Sequence, residues 1–276
     1  MMLTPVMETL PDGHRLRVAR IGSGPPIVCL HGYPDNLHIW GALAQQLADR
    51  HTVIAFDWPG LGESDPWTGG VTPMHLADRL ATLLDFWGIA QASLIGVDMG
   101  GQPALAFAAH HPERIQKLIV MNSLVSGESE TSWEISLLRR FALNRLILTY
   151  LSPIVFQRAL WTFLPNGVHL PKEVIADFRR TFERPAVRRE LVRMCAGYQG
   201  TLPRLAELYP KISCPTLILW AGRDNHFPPI QAEKLHAQIR ASQIQIIPEA
   251  MHWMAWYLAP EIASRIDLFL REDATS

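Results

Sequence analysis

Charge is scarce in this chain and nowhere concentrated. Of its 276 residues 18% are charged, and 25 Lys and Arg against 26 Asp and Glu leave a net charge of −1. With no basic block, binding to nucleic acid or to an anionic membrane has no electrostatic support. Cysteine is equally sparse: Cys29, Cys195 and Cys214 are the only three. Their odd number and scattered spacing suit neither a disulfide framework nor a metal site, and imply buried free thiols in a reducing compartment. No run of about 18 apolar residues occurs, so no membrane span is predicted. Residues 1–20 hold no apolar stretch long enough for a signal peptide, and a cytoplasmic protein is expected. Repeats and low-complexity segments are also missing. What is present is a hydrophobic content of 48%. That is enough for the core of one large domain with an insertion, or of two small ones.

Short β-branched runs alternate with helical periodicity through the first part of the chain. Strands are predicted at residues 27–30, 53–56, 93–96 and 118–122, and helices at 37–48, 74–87 and 99–110. This alternation implies right-handed crossovers and a parallel sheet. From residue 126 to 210 the rhythm stops. That segment is rich in Leu, Phe, Arg and Trp at helical spacing, is cut by Pro153, Pro165, Pro171 and Pro185, and reads as a helical insertion. The sheet pattern resumes at 216–220, followed by a helix at 230–239, a strand at 243–247 and a final amphipathic helix at 254–270. The predicted organisation is a core of residues 1–125 and 211–276 around an insertion at 126–210.

Chemistry concentrates at the ends of the predicted strands. Gly96-Val97-Asp98-Met99-Gly100-Gly101 follows a strand and opens a helix, the setting of the nucleophile elbow G-x-S-x-G. Small residues flank such a nucleophile because its backbone is strained and closely packed. Taken alone, Asp98 reads equally well as an N-cap. His31-Gly32-Tyr33-Pro34 follows the strand at 27–30, and Asp57-Trp58-Pro59-Gly60-Leu61-Gly62-Glu63-Ser64 follows the strand at 53–56. Gly222-Arg223-Asp224 ends the strand at 216–220, and His252 lies between the last strand and the last helix.

These motifs, in this order, resemble the α/β-hydrolase family over nearly the whole chain outside the insertion. The resemblance implies an α/β fold with a mostly parallel central sheet, flanked by helices, and an inserted helical cap. It implies Asp98 as nucleophile, Asp224 as orienting acid, His252 as base, and the backbone N–H groups of Tyr33 and Met99 as an oxyanion hole. His31 and Asp57 serve loop structure on this reading. An aspartate in place of serine suits displacement at saturated carbon, because a carboxylate is ionised at neutral pH and needs no base for the first step. His252 then activates water against the resulting ester. Neither a cofactor nor a metal is implied.

Two families with an Asp nucleophile are similar to this sequence, epoxide hydrolases and haloalkane-type dehalogenases. Haloalkane dehalogenases usually place Trp after the nucleophile and often Asn after the H-G pair, where this chain has Met99 and Tyr33. Fluoroacetate-type dehalogenases usually carry Arg after the nucleophile and an acid after an earlier strand, which Met99 and Asn122 do not match. Epoxide hydrolases use H-G-aromatic-Pro, as in Tyr33-Pro34, and two cap tyrosines that donate to the ring oxygen. Tyr150 and Tyr198 are the candidates, since a phenol of pKa about 10 is a competent donor; Tyr209 reads as structural. Val97 and Gln199 depart from the usual residues of these families. Trp161 and Trp253 are candidate pocket residues, Trp161 being the one indole that could still donate to halide from the cap. Phe141, Phe156, Phe163 and Phe178 are expected mostly in the cap core. The apolar segment 141–164 admits a membrane-surface reading that its arginines and prolines disfavour.

The expected activity is opening of a small apolar epoxide to a vicinal diol, through an ester on Asp98, by a monomer or homodimer using water. The alternatives are a haloalkane or haloacid dehalogenase with an atypical halide site, and a non-catalytic binder of the same fold.

Overall fold

A computed structural model describes residues 2–127, 130–139 and 141–272; the Phe141 side chain lies outside what is described. Eight strands form one sheet: β1 (Val6–Thr9), β2 (Arg15–Ile21), β3 (Pro26–Leu30), β4 (Thr52–Phe56), β5 (Ala92–Val97), β6 (Ile115–Met121), β7 (Thr216–Ala221) and β8 (Ser242–Ile247). Their order is β1-β2-β4-β3-β5-β6-β7-β8. β2 pairs antiparallel with β1 and β4, and every other pairing is parallel. β5 and β7 are buried at every residue, as strands covered on both faces must be.

The six expected strands are all present, with ends shifted by a few residues. β1 and β2 were not anticipated. β1 is a short, largely exposed edge strand, and β2 carries Arg17 where an apolar residue would have marked it. Arg17 is buried, and its guanidinium donates to Asp177 at 3.1 Å and to Asp57 at 3.4 Å.

Helices α1 (Gly41–Leu47), α2 (Pro73–Phe86) and α3 (Gly101–His110) link the parallel strands, and α9 (Ile230–His236) links β7 to β8. The helix expected at 37–48 is a 3₁₀ turn at Leu37–Trp40 followed by α1. The expected last helix is also two, α10 (Met254–Tyr257) and α11 (Ala259–Arg271). Pro260 sits in the first turn of α11, where its missing N–H costs nothing and a new helix starts readily.

Between β6 and β7 lie α4 (Trp133–Leu138), α5 (Phe141–Tyr150), α6 (Ser152–Phe163), α7 (Lys172–Phe182) and α8 (Pro185–Ala206), with no strand among the described residues. Side chains tie this insertion to the sheet. Asp177 of α7 accepts from Arg17 and, at 2.7 Å, from Asn36. Arg184 donates to the Gly62 carbonyl at 2.6 Å, and the Tyr209 hydroxyl to the Val125 carbonyl at 2.7 Å. Tyr209 thus closes the exit of the insertion. Among the described residues no single helix is long and apolar enough to cross a membrane.

Candidate active site

Asp98 stands at the turn between β5 and α3 with φ of 52°, a left-handed conformation uncommon outside glycine. Neighbouring groups hold it there. Its N–H donates to the Asn122 carbonyl at 3.0 Å, and its carbonyl accepts from Ser123 Oγ at 2.6 Å. Close packing explains two of the surrounding glycines. A Cβ on Gly100 would lie 2.1 Å from the Leu30 carbonyl oxygen, and one on Gly32 would lie 2.3 Å from Asp98 Cβ. Asp98 does not act as a helix cap. A cap carboxylate accepts from an N–H two or three residues on, whereas Asp98 Oδ1 accepts from the adjacent Met99 N–H at 2.5 Å.

The three residues expected to cooperate come together across the strand ends. His252 Nδ1 lies 2.7 Å from Asp224 Oδ2, and His252 Nε2 lies 3.5 Å from Asp98 Oδ2. Asp224 is further held by the N–H groups of His226 at 2.7 Å and Phe227 at 3.0 Å, and by Asn122 Nδ2 at 2.6 Å. The Asn122 side-chain oxygen in turn accepts from the Ala221 N–H at 3.2 Å. The imidazole is therefore aimed with one nitrogen fixed on Asp224 and the other facing the Asp98 carboxylate.

Burial sets the charges. It pushes the Asp98 carboxyl from the ordinary 3.8 up to about 7; the charge of His252 pulls it down, while Asp35 and Asp224 add to the rise. Burial therefore works against ionisation of Asp98 in the free protein, which the residue type alone does not show. Burial also works against ionisation of Asp224, but the charge and hydrogen bond of His252 win and hold it below the usual range. His252 shows the mirror image: burial opposes its charge, yet Asp224 and Asp98 raise its pKa.

Two adjoining cavities lie beside this site, and the smaller reaches Asp98. The smaller, of about 30 Å³, is walled by Asp98, Met99, Gln102, Cys195, Tyr198 and Tyr33 among others. The larger, of about 200 Å³, lies within the insertion and is almost wholly apolar, walled by residues such as Leu151, Val155, Ala159 and Phe163. Tyr33, Ile135 and Leu138 belong to both walls. His226 borders the larger cavity with both ring nitrogens engaged, 2.8 Å from Ser132 Oγ and 2.8 Å from Thr162 Oγ1. Burial first, then the charge of His252, lowers its pKa to about 4, so it is neutral.

Tyr198 is buried against the small cavity, but Tyr150 and Trp161 are not in the site. Tyr150 is 75% exposed and Trp161 67% exposed, and neither walls either of these cavities. The reason is rotational phase. Leu148 turns inward from α5, and Ala159 and Phe163 from α6; a step of two residues from these positions points a side chain to the opposite face of a helix. Trp253 is buried yet lines neither cavity. Its indole N–H donates to Asp35 Oδ2 at 3.0 Å, and its ring packs edge-on against Phe163 and Phe178. It braces the loop that carries His252.

His31 and Asp57 serve structure, as expected. His31 accepts from the Trp58 N–H at 3.2 Å, and Asp57 accepts from the N–H groups of Leu37 and Glu63. Sequence reasoning missed Asn122 as the partner of Asp224, having noted it only as a mismatch to another family. It also missed Asp35, which accepts from the Gly32 N–H at 3.0 Å, and Gln102, Arg139 and Cys195 in the cavity wall. Gln102 lies one turn beyond Asp98 on α3, and no local pattern marks Arg139 and Cys195, which come from the insertion. Burial raises the Cys195 thiol to about 12, which disfavours its thiolate.

Comparison with known proteins places this geometry. The pattern of the alpha/beta hydrolase fold family matches residues 25–257. The chain is 26% identical to a 2-hydroxy-6-oxononadienedioate/2-hydroxy-6-oxononatrienedioate hydrolase from Burkholderia vietnamiensis, covering 96% of this chain and 94% of that protein. It is 25% identical to a soluble epoxide hydrolase from a Corynebacterium species, covering 80% and 81%. Among solved structures, a thermophilic esterase from Thermogutta terrifontis superposes with a TM-score of 0.80 at 27% identity, covering 97% of this chain and 98% of that one. With a family match across most of its length and the eight-stranded sheet of that fold, this chain belongs to the α/β-hydrolase fold family and is a hydrolase of that family.

Proposed function

We propose that this hydrolase opens an apolar epoxide to a vicinal diol through a covalent ester on Asp98, with the helical insertion serving as the cap over the reaction. The observation that carries this reading is the Met99 N–H on Asp98 Oδ1 at 2.5 Å, with Oδ2 turned toward His252. A serine hydrolase aims its oxyanion donors at the substrate's carbonyl oxygen. An aspartyl ester needs them on the nucleophile's own oxygen, because water attacks the nucleophile's carboxyl carbon.

In the first step Oδ2 forms a bond to an epoxide carbon and the ring C–O bond breaks. The ring oxygen takes a proton from a phenol, for which Tyr198 is placed. In the second step His252 removes a proton from water, the water oxygen bonds to the ester carbonyl carbon, and the developing oxyanion rests on the Met99 N–H. Collapse releases the diol, whose leaving oxygen takes the proton from His252, and the proton left on the restored carboxyl returns to the tyrosinate. Asp224 holds the imidazolium that forms in between. Epoxide is favoured over halide because the small cavity offers phenols and no indole, and Trp161 lies outside it.

Turnover in heavy-oxygen water tests the mechanism. The Asp98 carboxylate gains label over many turnovers if water attacks the ester; an unlabelled Asp98, or halide release without diol formation, rejects the proposal. Because burial raises Asp98 to about 7, the first step quickens as pH climbs through that region; the second needs neutral His252, whose pKa Asp224 raises, and it too gains as pH rises. A pH–rate profile that falls over the same interval contradicts the assigned roles.

A further inference from the structure

Five tyrosines occur in the chain, and their hydroxyls sort cleanly. Tyr209 donates to the Val125 carbonyl at 2.7 Å, and Tyr257 accepts from the Met251 N–H at 2.6 Å. Tyr150 is exposed to solvent. Tyr33 and Tyr198 alone are buried with hydroxyls that bond to no backbone group; that of Tyr33 has no partner, and that of Tyr198 has only the Gln102 side chain beside it. A buried polar group without a partner is destabilising and rare, and calls for a functional explanation. These two share more than that. Both line the small cavity with Asp98 and Met99, and the Asp98 charge acts on both phenols. Tyr33 is carried by the core loop after β3, with its ring edge-on to Phe182 at 5.6 Å; Tyr198 comes down from α8.

Resting on the epoxide reading above, we infer that the second donor to the ring oxygen is the phenol of Tyr33, working with Tyr198, and that the pair selects terminal epoxides bearing one apolar chain. In the ring-opening step the pair of electrons from the breaking C–O bond goes to the ring oxygen. One phenol supplies the proton it takes up, and the other donates a hydrogen bond to it. Burial, with a further push from Asp98, drives both phenols well above their ordinary pKa, so both remain protonated donors. The substrate class follows from volume. The space beside Asp98, of about 30 Å³, is much narrower than the neighbouring cavity of about 200 Å³ and suits the unsubstituted CH₂–O end of a ring. Tyr33 also walls the apolar cavity of about 200 Å³, so a chain on the other ring carbon passes the Tyr33 ring into that cavity.

Single-turnover ester formation on Asp98 with 1,2-epoxyhexane, compared with internal 2,3-epoxyhexane, tests this. Tyr33→Phe and Tyr198→Phe each slow ester formation by about 10²-fold or more, the usual contribution of a positioned acid, while Tyr150→Phe leaves it unchanged. The loss shrinks on a trifluoromethyl-substituted epoxide, whose alkoxide needs less help, which a purely structural role for Tyr33 would not produce. Tyr33→Phe also melts at or above the wild-type temperature, because it removes an unpaired buried hydroxyl. Ester formed by wild type and by Tyr33→Phe at the same rate overturns the role of Tyr33 while upholding the epoxide reading. Equal rates on the terminal and internal epoxides overturn the substrate class. No ester from any epoxide with wild type rejects the epoxide reading itself.

Discussion

The carboxyl end of the sheet and the α5–α6 arm of the insertion are built on opposite terms. At the sheet end, Asp224 is gripped by His226, Phe227, Asn122 and His252, and Asp98 is fixed by Asn122, Ser123 and Met99. Along the arm, Leu146, Tyr150 and Trp161 face solvent, while Leu148, Phe156 and Phe163 fill the inner side. One region specifies positions of single atoms and the other supplies apolar volume. A change at the first should therefore act on rate, and a change on the outer face of the second should act on nothing.

The strongest test of that contrast is Gly32→Ala. Its Cβ would stand 2.3 Å from Asp98 Cβ and 2.9 Å from Oδ1, so either the loop after β3 or Asp98 must move. A displacement near 1 Å in a reacting group costs on the order of 10²-fold, and a fall of at least that size in kcat/KM is expected, with the circular dichroism spectrum unchanged. Near-wild-type turnover would mean that the sheet end tolerates shifts, and the contrast with the arm would collapse.

The same contrast separates what the sequence announces from what it conceals. Asp98, Asp224 and His252 are legible because each sits at a fixed offset from a strand end, and strand–turn–helix spacing is a local property. β2 is hidden because Arg17 occupies a buried position whose compensation, Asp177, lies far along the chain. Tyr150 and Trp161 are misplaced because helical periodicity identifies an apolar face only where polar residues mark the other one. In α5 and α6 both faces are apolar, so only the packing of the helices on the core decides which face is inside. Asp35 and Asn122 are hidden for the reason that conceals Asp177: their partners, Trp253 and Asp224, are distant in sequence.

A smaller effect probes the cost of placing Asp98. Its folded pKa is raised from 3.8 to about 7 by burial. Below about pH 4 both the folded and the unfolded chain carry the neutral acid and the burial costs nothing; as pH rises the unfolded chain ionises first, and stability is lost until the pH passes about 7. Asp98→Asn keeps the shape and never ionises. It should be more stable than wild type by about 2–4 kcal/mol near pH 8, the gap closing toward pH 4, as read from urea unfolding. Equal stability at both pH values would show that the site stores no such strain, and that its difference from the arm is one of geometry alone.

The least effect is expected at Trp161→Phe. Its indole is exposed on the outer face of α6, away from the wall shared with Asp98. Surface substitutions without buried partners usually stay within about 0.5 kcal/mol, so unfolding midpoint, kcat and KM should all match wild type. A halide donor could not be lost so quietly, because removing a donor from a developing anion costs about 10²-fold or more. The epoxide and halide readings of Asp98 therefore diverge most where the structure is least constrained. Loss of turnover in Trp161→Phe would require the α5–α6 arm to rotate its outer face onto Asp98, which would expose Phe156 and Phe163 in exchange.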